Sequence, residues 1–531
     1  MTSTRNTRHL RDHAYVHVAA AGIFRRHALL IALLVLAAFC YLAWTWDAQI
    51  GQLGTDGPNY LMMADHYAHG NMADPVYADV AAYSRFPPLY PLLLAWCHAS
   101  DDFHLIHMVT TACLILALLA FYAWLFVEGL SSAQCTLLVL LFAALPGSWL
   151  AGLVVQSEYL YLMWSLLAIA LLAAYQRNHL INALYGAAIV IALATLTRAI
   201  GVALYIPLLL VLLRAPRRAA ILALVVSLLP LLIWSLLHRS KVSYTDALGL
   251  IYSGDHWGIL RSQLAKELPA LRNGFGGNFL LHSPLQPLAD VVGLICLAGT
   301  SLRTIKLKPD ALYTTANLLI LLVWPYPEEA QRFLWVLVPF LIAQPLLAFS
   351  DWRSEMPSSP MPRLLTCILS ASVLGMIIPA FALASDRYRA AAYTDLPEAW
   401  TFVSWYGEDA DHAWDVVSIQ TAIINSMRRI TEDVPANDCV ISTRPDLINY
   451  FGRRRSYFPP LNSTPDPNFD RQLRAPGCHF VFGMSSADWR YPATMFPMGR
   501  LGKNLDVVFY NSIPAASADK FKLTSILARL D

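Results

Sequence analysis

The sequence predicts a polytopic α-helical membrane protein with a C-terminal α/β domain outside the membrane. Of its 531 residues, 57% are hydrophobic and only 14% are charged, which is typical of chains that cross a bilayer several times. Long apolar runs recur through residues 1–384. Over 385–531 the helix and strand patterns alternate and are typical of a soluble domain. The formal net charge of +2 offers no electrostatic argument for nucleic acid as a partner.

Eleven apolar runs approach the length needed to cross roughly 30 Å of hydrocarbon. They lie near 28–46, 105–127, 134–151, 158–175, 180–196, 199–213, 219–237, 288–302, 310–325, 333–349 and 364–384. The run 199–213 contains Pro207 and the run 288–302 contains Asp290, so a tilted or partly re-entrant placement stays open for both. We therefore expect about eleven spans.

Basic residues predict the orientation of these spans. The first run is preceded by Arg5, Arg8, Arg11, Arg25 and Arg26. By the positive-inside rule the N-terminus is cytoplasmic, and the run itself reads as a retained anchor because it is too long for a signal peptide and lacks a cleavage site. Alternation then places the basic segments 214–218 and 303–308 in the cytoplasm. The C-terminal domain is expected in the periplasm, outside the cytoplasmic (inner) membrane.

The same alternation gathers the uncommon charged residues at the outer face. They are Asp56, Asp65 and Arg85 in the first outer loop (47–104), Glu158, Arg198 and Arg332. A single charge at a membrane boundary can simply extend into the headgroup region. Several converging charges favour a shared site, because a charge buried between helices costs roughly 2.5 to 3.5 kcal/mol without a partner.

The first outer loop has the pattern of two interfacial helices. Asp56-Gly57-Pro58 is typical of a helix start, and Tyr60, Met63 and Tyr67 then recur on one helical face. A second short helix, LYPLLLAW, follows two prolines. Asp56 is therefore open to two interpretations, a helix N-cap or a functional carboxylate.

These landmarks resemble the integral-membrane glycosyltransferases of the GT-C fold, particularly the protein O-mannosyltransferases and the lipid A aminoarabinose transferase. The resemblance rests on Asp56 with Tyr60 four residues later, Arg85 before PPLYPLLLA, Ser157-Glu158 opening the fourth span, LTRAIGVALYIPLLLVLL, and WPY followed by RFLWVLVPFL. It departs from the family in the first loop, where Asp56 has no adjacent acid and Phe86 separates Arg85 from Pro87.

The resemblance implies a polyprenyl-phosphate sugar as donor and a glycan, lipid or protein as acceptor at the outer face. A carboxylate suits a general base for the acceptor hydroxyl, and arginines suit the departing phosphate. Asp56 and Glu158 are then the catalytic candidates, and Arg85, Arg198 and Arg332 the phosphate-binding ones. Tyr60 and Asp65 are further candidates for substrate contact.

The outer loop over 238–287 adds two weaker candidates, Lys266 and Arg272, which the resemblance places near the donor phosphate. A solvated surface helix explains AKELPALR equally well, and the GFGGNF stretch reads as a mobile connection. No zinc-ligand spacing, Walker motif or dinucleotide fingerprint occurs in the sequence. The sequence therefore supports no metal site and no other cofactor, and the dependence of the activity on a divalent metal stays open.

The C-terminal region alternates between helical and strand patterns. It contains a helix near 413–432, the strand DCVIST, the helix PDLINYF, the strands CHFVFGM and LDVVFYN, and a final amphipathic segment FKLTSILARL. Its GRRR stretch suits either an anionic ligand or a solvated turn. Cys439 and Cys478 each begin a strand, and in an oxidising compartment we expect a disulfide between them.

Two other functions remain open. A transporter or flippase for a lipid-linked sugar is also polytopic, although transporters usually show repeated halves and charges at the bilayer midplane. A non-enzymatic assembly partner would carry the outer domain and tolerate changes of the loop acids. Movement of a sugar onto an acceptor distinguishes the glycosyltransferase from both.

Overall fold

The computed structural model describes residues 28–46, 56–71, 86–100, 102–237, 256–279, 286–324, 329–353, 410–457, 477–484, 505–514 and 521–530, with a few single positions between 368 and 375. The described residues form a helical body up to residue 353 and a small α/β domain after residue 410. Arg85 and most of the expected last span lie outside the described residues.

Helices coincide with the first ten apolar runs. In the first half of the body they are α1 (Ala28–Thr45), α2 (Gly57–Ala68), α3 (Leu89–Trp96), α4 (Phe103–Val127), α5 (Ser132–Ala144), α6 (Pro146–Gly152), α7 (Glu158–Asn178) and α8 (Ile181–Thr197). A 3₁₀ turn (Ala199–Leu204) then precedes α9 (Tyr205–Leu212), α10 (Arg217–Leu237), α11 (His256–Asn278), α12 (Gln286–Ile305), α13 (Pro309–Leu322), α14 (Ala330–Trp335) and α15 (Val338–Arg353). The two short helices expected in the first outer loop are α2 and α3.

Fewer described helices meet the length and hydropathy required of a membrane span than the eleven runs predicted from the sequence. Five described helices are long and apolar enough to cross a membrane, and α5 with α6, bent by 56°, makes a sixth if the pair is one span. Pro146, the first residue of α6, explains the bend, because proline cannot continue the hydrogen-bond ladder of α5. The total of about eleven spans stays a prediction.

A buried ion network joins four helix ends at the face predicted to be cytoplasmic. Arg303, 1% exposed, binds Asp310 at 2.9 Å, Glu128 at 2.8 Å and Asp351 at 2.7 Å. These residues lie near the ends of α12, α13, α4 and α15 that the alternation rule places on one side. Arg303, which belongs to the basic segment 303–308, is buried among three carboxylates.

The C-terminal domain is a five-stranded sheet with two described helices. Its elements are α16 (Ala410–Asp433), β1 (Cys439–Ser442), α17 (Pro445–Gly452), β2 (Arg455–Tyr457), β3 (Phe480–Met484), β4 (Leu505–Pro514) and β5 (Phe521–Leu530), with strand order β2-β1-β3-β5-β4. β1 pairs parallel with β2 and β3, whereas β5 pairs antiparallel with β3 and β4. The amphipathic segment FKLTSILARL is the strand β5.

The expected disulfide is confirmed. Cys439 begins β1, Cys478 lies two residues before β3, and the two sulfurs are bonded with Cα atoms 4.8 Å apart. The bond follows from strand pairing, because Val440 of β1 is the register partner of Phe480 of β3. It covalently joins the two neighbouring strands at the centre of the sheet.

One arginine of the GRRR stretch caps the C-terminal end of a helix. Arg454 donates to the carbonyl oxygens of Val434 at 2.8 Å and Thr431 at 2.7 Å, which satisfies carbonyl groups at the C-terminal end of α16. Arg453 and Arg455 are exposed. An anionic partner of those two residues stays a prediction.

Candidate functional site

The carboxylate of Asp56 points away from the helix that it precedes. It makes no hydrogen bond to the free amides of α2, and its Oδ2 atom instead accepts from Nη2 of Arg332 at 2.9 Å. The interpretation of Asp56 as a helix cap alone is therefore wrong. Its side chain remains 28% exposed, so a second molecule has access to it.

Glu158, the first residue of α7, is fully buried. Its Oε1 atom accepts from Nη1 of Arg198 at 2.6 Å and also from Nε of Arg332. Arg198 follows α8 and Arg332 belongs to α14, so one buried carboxylate joins two arginines from distant parts of the chain. A buried charge requires such pairing, because desolvation costs several kcal/mol per ion.

The two arginines are engaged to different extents. Arg332 uses all three guanidinium nitrogens, since Nη1 also approaches Glu329 at 3.4 Å. Arg198 makes its described polar contacts through Nη1 alone, to Glu158 and to Ser157 Oγ at 3.1 Å. Three acidic side chains thus face two guanidinium groups.

Aromatic side chains complete this outer cluster, which we define as Asp56, Glu158, Arg198, Glu329 and Arg332. The ring centroid of Phe333 lies 5.4 Å from Arg198 Cζ and 5.9 Å from Arg332 Cζ, within cation–π distance of both. The hydroxyl groups of Tyr60 and Ser157 are 3.0 Å apart. Burial, and then the charge of Asp56, raise the pKa of Tyr60, so its hydroxyl stays neutral at physiological pH.

Comparison with known proteins identifies the fold. No protein-family model and no curated protein sequence matches the chain. Among solved structures, ArnT from Cupriavidus metallidurans bound to undecaprenyl phosphate matches with a TM-score of 0.50 at 11% identity, over 94% of this chain and 98% of that one. The Archaeoglobus fulgidus oligosaccharyltransferase tethered with an acceptor peptide containing the NVT sequon matches with a TM-score of 0.52 at 14% identity, over 94% of this chain and 74% of that one. Both are GT-C-fold glycosyltransferases.

The chain has the GT-C fold. The resemblance expected from the sequence is confirmed at this level, although the identities are too low to carry a substrate or a residue role from one protein to another. The outer cluster is the part of this GT-C chain in which four of the predicted site residues meet, namely Asp56, Glu158, Arg198 and Arg332.

Other predicted site residues of this GT-C chain have separate contacts. Asp65 lies nine residues beyond Asp56 and faces the exposed His69 at 3.5 Å. Lys266 is exposed. Arg272 forms a two-bond pair with Asp290, at 2.8 and 2.7 Å, in a largely exposed position. None of these three shares a described contact with the outer cluster.

Glu329 is a member of the outer cluster that is absent from the residues predicted from the sequence. The signal for it was its position three residues before Arg332 in the stretch EEAQRF, because residues at that spacing share one helical face. Within the described residues, no three acidic, histidine or cysteine side chains are placed to hold a metal ion. Each carboxylate of the outer cluster instead faces a guanidinium group.

The glycine-rich stretch that reads as a mobile connection is helical. Residues 274–278 form the last turns of α11, and this helix packs on α14, which carries Arg332. The expectation of an irregular link is wrong. Glycine occurs in loops, but it also allows two backbones to approach closely, and here it serves the close packing of two helices.

Proposed function

We propose that this protein is an integral-membrane glycosyltransferase that transfers a sugar from a polyprenyl-phosphate donor to an acceptor hydroxyl at the outer face of the cytoplasmic membrane. The observation that carries the proposal is the outer cluster, in which an accessible carboxylate lies beside two arginines anchored by a buried acid. A GT-C fold and a neighbour crystallised with undecaprenyl phosphate support the choice of donor.

Asp56 is the proposed general base. The carboxylate of Asp56 is 28% exposed, so an acceptor hydroxyl can approach it, and a positioned carboxylate is one of the groups that act as general bases. Glu158 is unsuited to this task because it is fully buried and serves two arginines. The difference in exposure supports Asp56 as the proposed base and a positioning role for Glu158.

The arginines are the proposed ligands of the donor phosphate. As the bond between the sugar and the phosphate breaks, negative charge grows on the phosphate oxygens, and guanidinium donors stabilise that charge. Arg198 is the principal candidate, since its described polar contacts occupy only Nη1. Arg332 becomes a phosphate ligand to the extent that it exchanges Asp56 or Glu329 for the phosphate.

Binding of undecaprenyl phosphate by the purified protein in detergent tests this proposal. We expect Arg198→Ala to weaken its Kd by about 10- to 100-fold, as for loss of hydrogen bonds to a charged group. Undecaprenol, which lacks the phosphate, serves as the control ligand and should bind weakly to both proteins. Arg429→Ala is the matched control variant, because it removes the same charge from an exposed ion pair in the C-terminal domain. Equal affinity for the phosphate and the alcohol would contradict the proposal.

Sugar transfer is tested in the same detergent solution. Lipid extracts from cells supply the donor and acceptor, and mass spectrometry detects a product heavier by one sugar. Micelles contain no second compartment, so a product formed there excludes transport as the whole activity. If the protein binds undecaprenyl phosphate but forms no product heavier by one sugar, the flippase or transporter would be favoured.

The membrane orientation remains part of the proposal. Reporter fusions at residues 216 and 306 should report the cytoplasm, and fusions after residue 390 the outer compartment. A cytoplasmic C-terminal domain would place the outer cluster on the wrong side of the membrane for this reaction.

A further inference from the structure

We propose that α11 fixes the position of Arg332, and that Gly274, Gly277 and Asn278 are positioning residues for the donor-phosphate site. This inference rests on the proposed function, since it concerns how the phosphate-binding arginines are held. Sequence patterns place these residues in a solvated or mobile loop. The contacts of α11 instead connect it to the chain on both sides of Glu329.

The first connection lies near the beginning of α11. The side-chain amide of Gln263 donates to the carbonyl oxygen of Trp324. The Trp324 ring packs edge-on against Phe333 at 5.8 Å between centroids, and Phe333 lies beside both arginine guanidinium groups. The N-terminal half of α11 is therefore linked to the aromatic side of the outer cluster.

The second connection lies at the end of α11. Asn278 donates through Nδ2 to the carbonyl oxygen of Gln331 at 3.2 Å and to that of Gly274 at 2.9 Å. Gln331 immediately precedes Arg332 in α14. A displacement of the Gln331 backbone consequently moves Arg332 with it.

Glycine allows this second connection to be close. A Cβ atom at Gly274 would lie 2.7 Å from the backbone nitrogen of Gln331 and 2.9 Å from its Cα. A Cβ atom at Gly277 would lie 2.8 Å from the side-chain Cδ of the same residue. The first contact is with backbone and requires the helices to separate, whereas the second is with a side chain that can move.

These distances predict a graded series of alanine variants. We expect Gly274→Ala to reduce turnover by about 100-fold, the scale expected for a displacement near 1 Å in a site that depends on orientation. Gly277→Ala should reduce turnover by about 10-fold, because rotation of the Gln331 side chain relieves part of the contact. The Kd for undecaprenyl phosphate should rise in the same order.

Gly293→Ala is the matched control. A Cβ atom there would meet the Phe275 ring at 3.5 Å, which is an ordinary van der Waals distance. This variant places alanine in the neighbouring helix α12 without displacing α14. Its turnover and its Kd for undecaprenyl phosphate should match those of the unaltered protein.

A double variant separates positioning from general loss of stability. Gln331→Ala removes the side chain that Gly277→Ala would meet but retains the carbonyl group that Asn278 contacts, so it should restore activity to Gly277→Ala. It should not restore activity to Gly274→Ala, whose contact is with backbone. If Gly274→Ala does not fold, the Gly277 pair provides the same test.

The outcomes distinguish this inference from the proposed function. Failure of the unaltered protein to bind undecaprenyl phosphate would overturn the proposed function. Binding by the unaltered protein, together with normal Kd and turnover for folded Gly277→Ala and Gly274→Ala, would overturn only the positioning role of α11. A lower unfolding temperature with an unchanged Kd would also overturn it, because that pattern belongs to a purely structural contact.

Discussion

Replacement of Asp56 by Asn separates the chemistry of the carboxylate from its structural contacts. Asn keeps the size of the side chain and an oxygen that can accept from Arg332, but it cannot accept a proton at neutral pH. Asn is also as good a helix cap as Asp, and Asp56 makes no capping bond in any case. The substitution therefore changes mainly the capacity for general base catalysis.

The structure predicts a small effect on stability and a large effect on rate. The bond from Arg332 Nη2 is 2.9 Å long and partly exposed, and its change from an ion pair to a hydrogen bond with one charged partner costs about 1 kcal/mol. Loss of a general base reduces turnover by about 10²- to 10⁴-fold, which corresponds to roughly 3 to 5 kcal/mol in the barrier. Undecaprenyl phosphate should bind more tightly, because one carboxylate that competes for Arg332 becomes neutral.

The assay compares turnover, thermal unfolding and the Kd for undecaprenyl phosphate in detergent-purified protein. Asp65→Asn is the matched control, since it makes the same change nine residues along on the exposed side of α2. Turnover of Asp56→Asn close to that of Asp65→Asn would refute the assignment of the base. The proton acceptor would then have to be sought at another acid, beginning with Glu329.

Further predictions concern buried charge and the C-terminal domain. Glu158→Gln should destabilise the protein by about 3 to 5 kcal/mol, since it removes the negative charge that two buried arginines share. An unchanged unfolding temperature would contradict this prediction. Arg303→Met should cause a loss of similar size while the folded fraction keeps its Kd for undecaprenyl phosphate. Joint replacement of Cys439 and Cys478 by Ser should destabilise the C-terminal domain by about 4 kcal/mol, from the length of the closed loop. In the unaltered protein, maleimide should label neither cysteine before reduction. Burial opposes ionisation of Asp438, but hydrogen bonds from backbone amides and a histidine ring outweigh it and lower the pKa of Asp438. The contribution of Asp438 to stability should therefore be complete above about pH 4 and lost at lower pH. Asp438→Asn should remove this pH dependence of the unfolding temperature.

The sequence by itself determined the helical segments and the charges that share one face. Apolar runs coincide with helices because lipid requires every spanning segment to satisfy its own backbone hydrogen bonds. Alternation of loops then assigned Asp56, Glu158, Arg198 and Arg332 to the same side. The disulfide also followed from local patterns, because Cys439 begins one strand and Cys478 closely precedes another, and these two strands pair in the sheet.

Only the tertiary structure decided the partners and the exposure of these charges. Arg332 is 276 residues from Asp56 and 174 from Glu158, and no local pattern specifies contacts over such separations. Helix packing leaves the carboxylate of Asp56 accessible and buries that of Glu158, and the different roles proposed for the two acids rest on this difference. The same packing places the glycines of α11 against Gln331, which converts an apparently mobile stretch into a rigid contact. These long-range contacts arise from close packing between helices that are distant in sequence. The geometry of that packing depends on the whole fold rather than on any one segment.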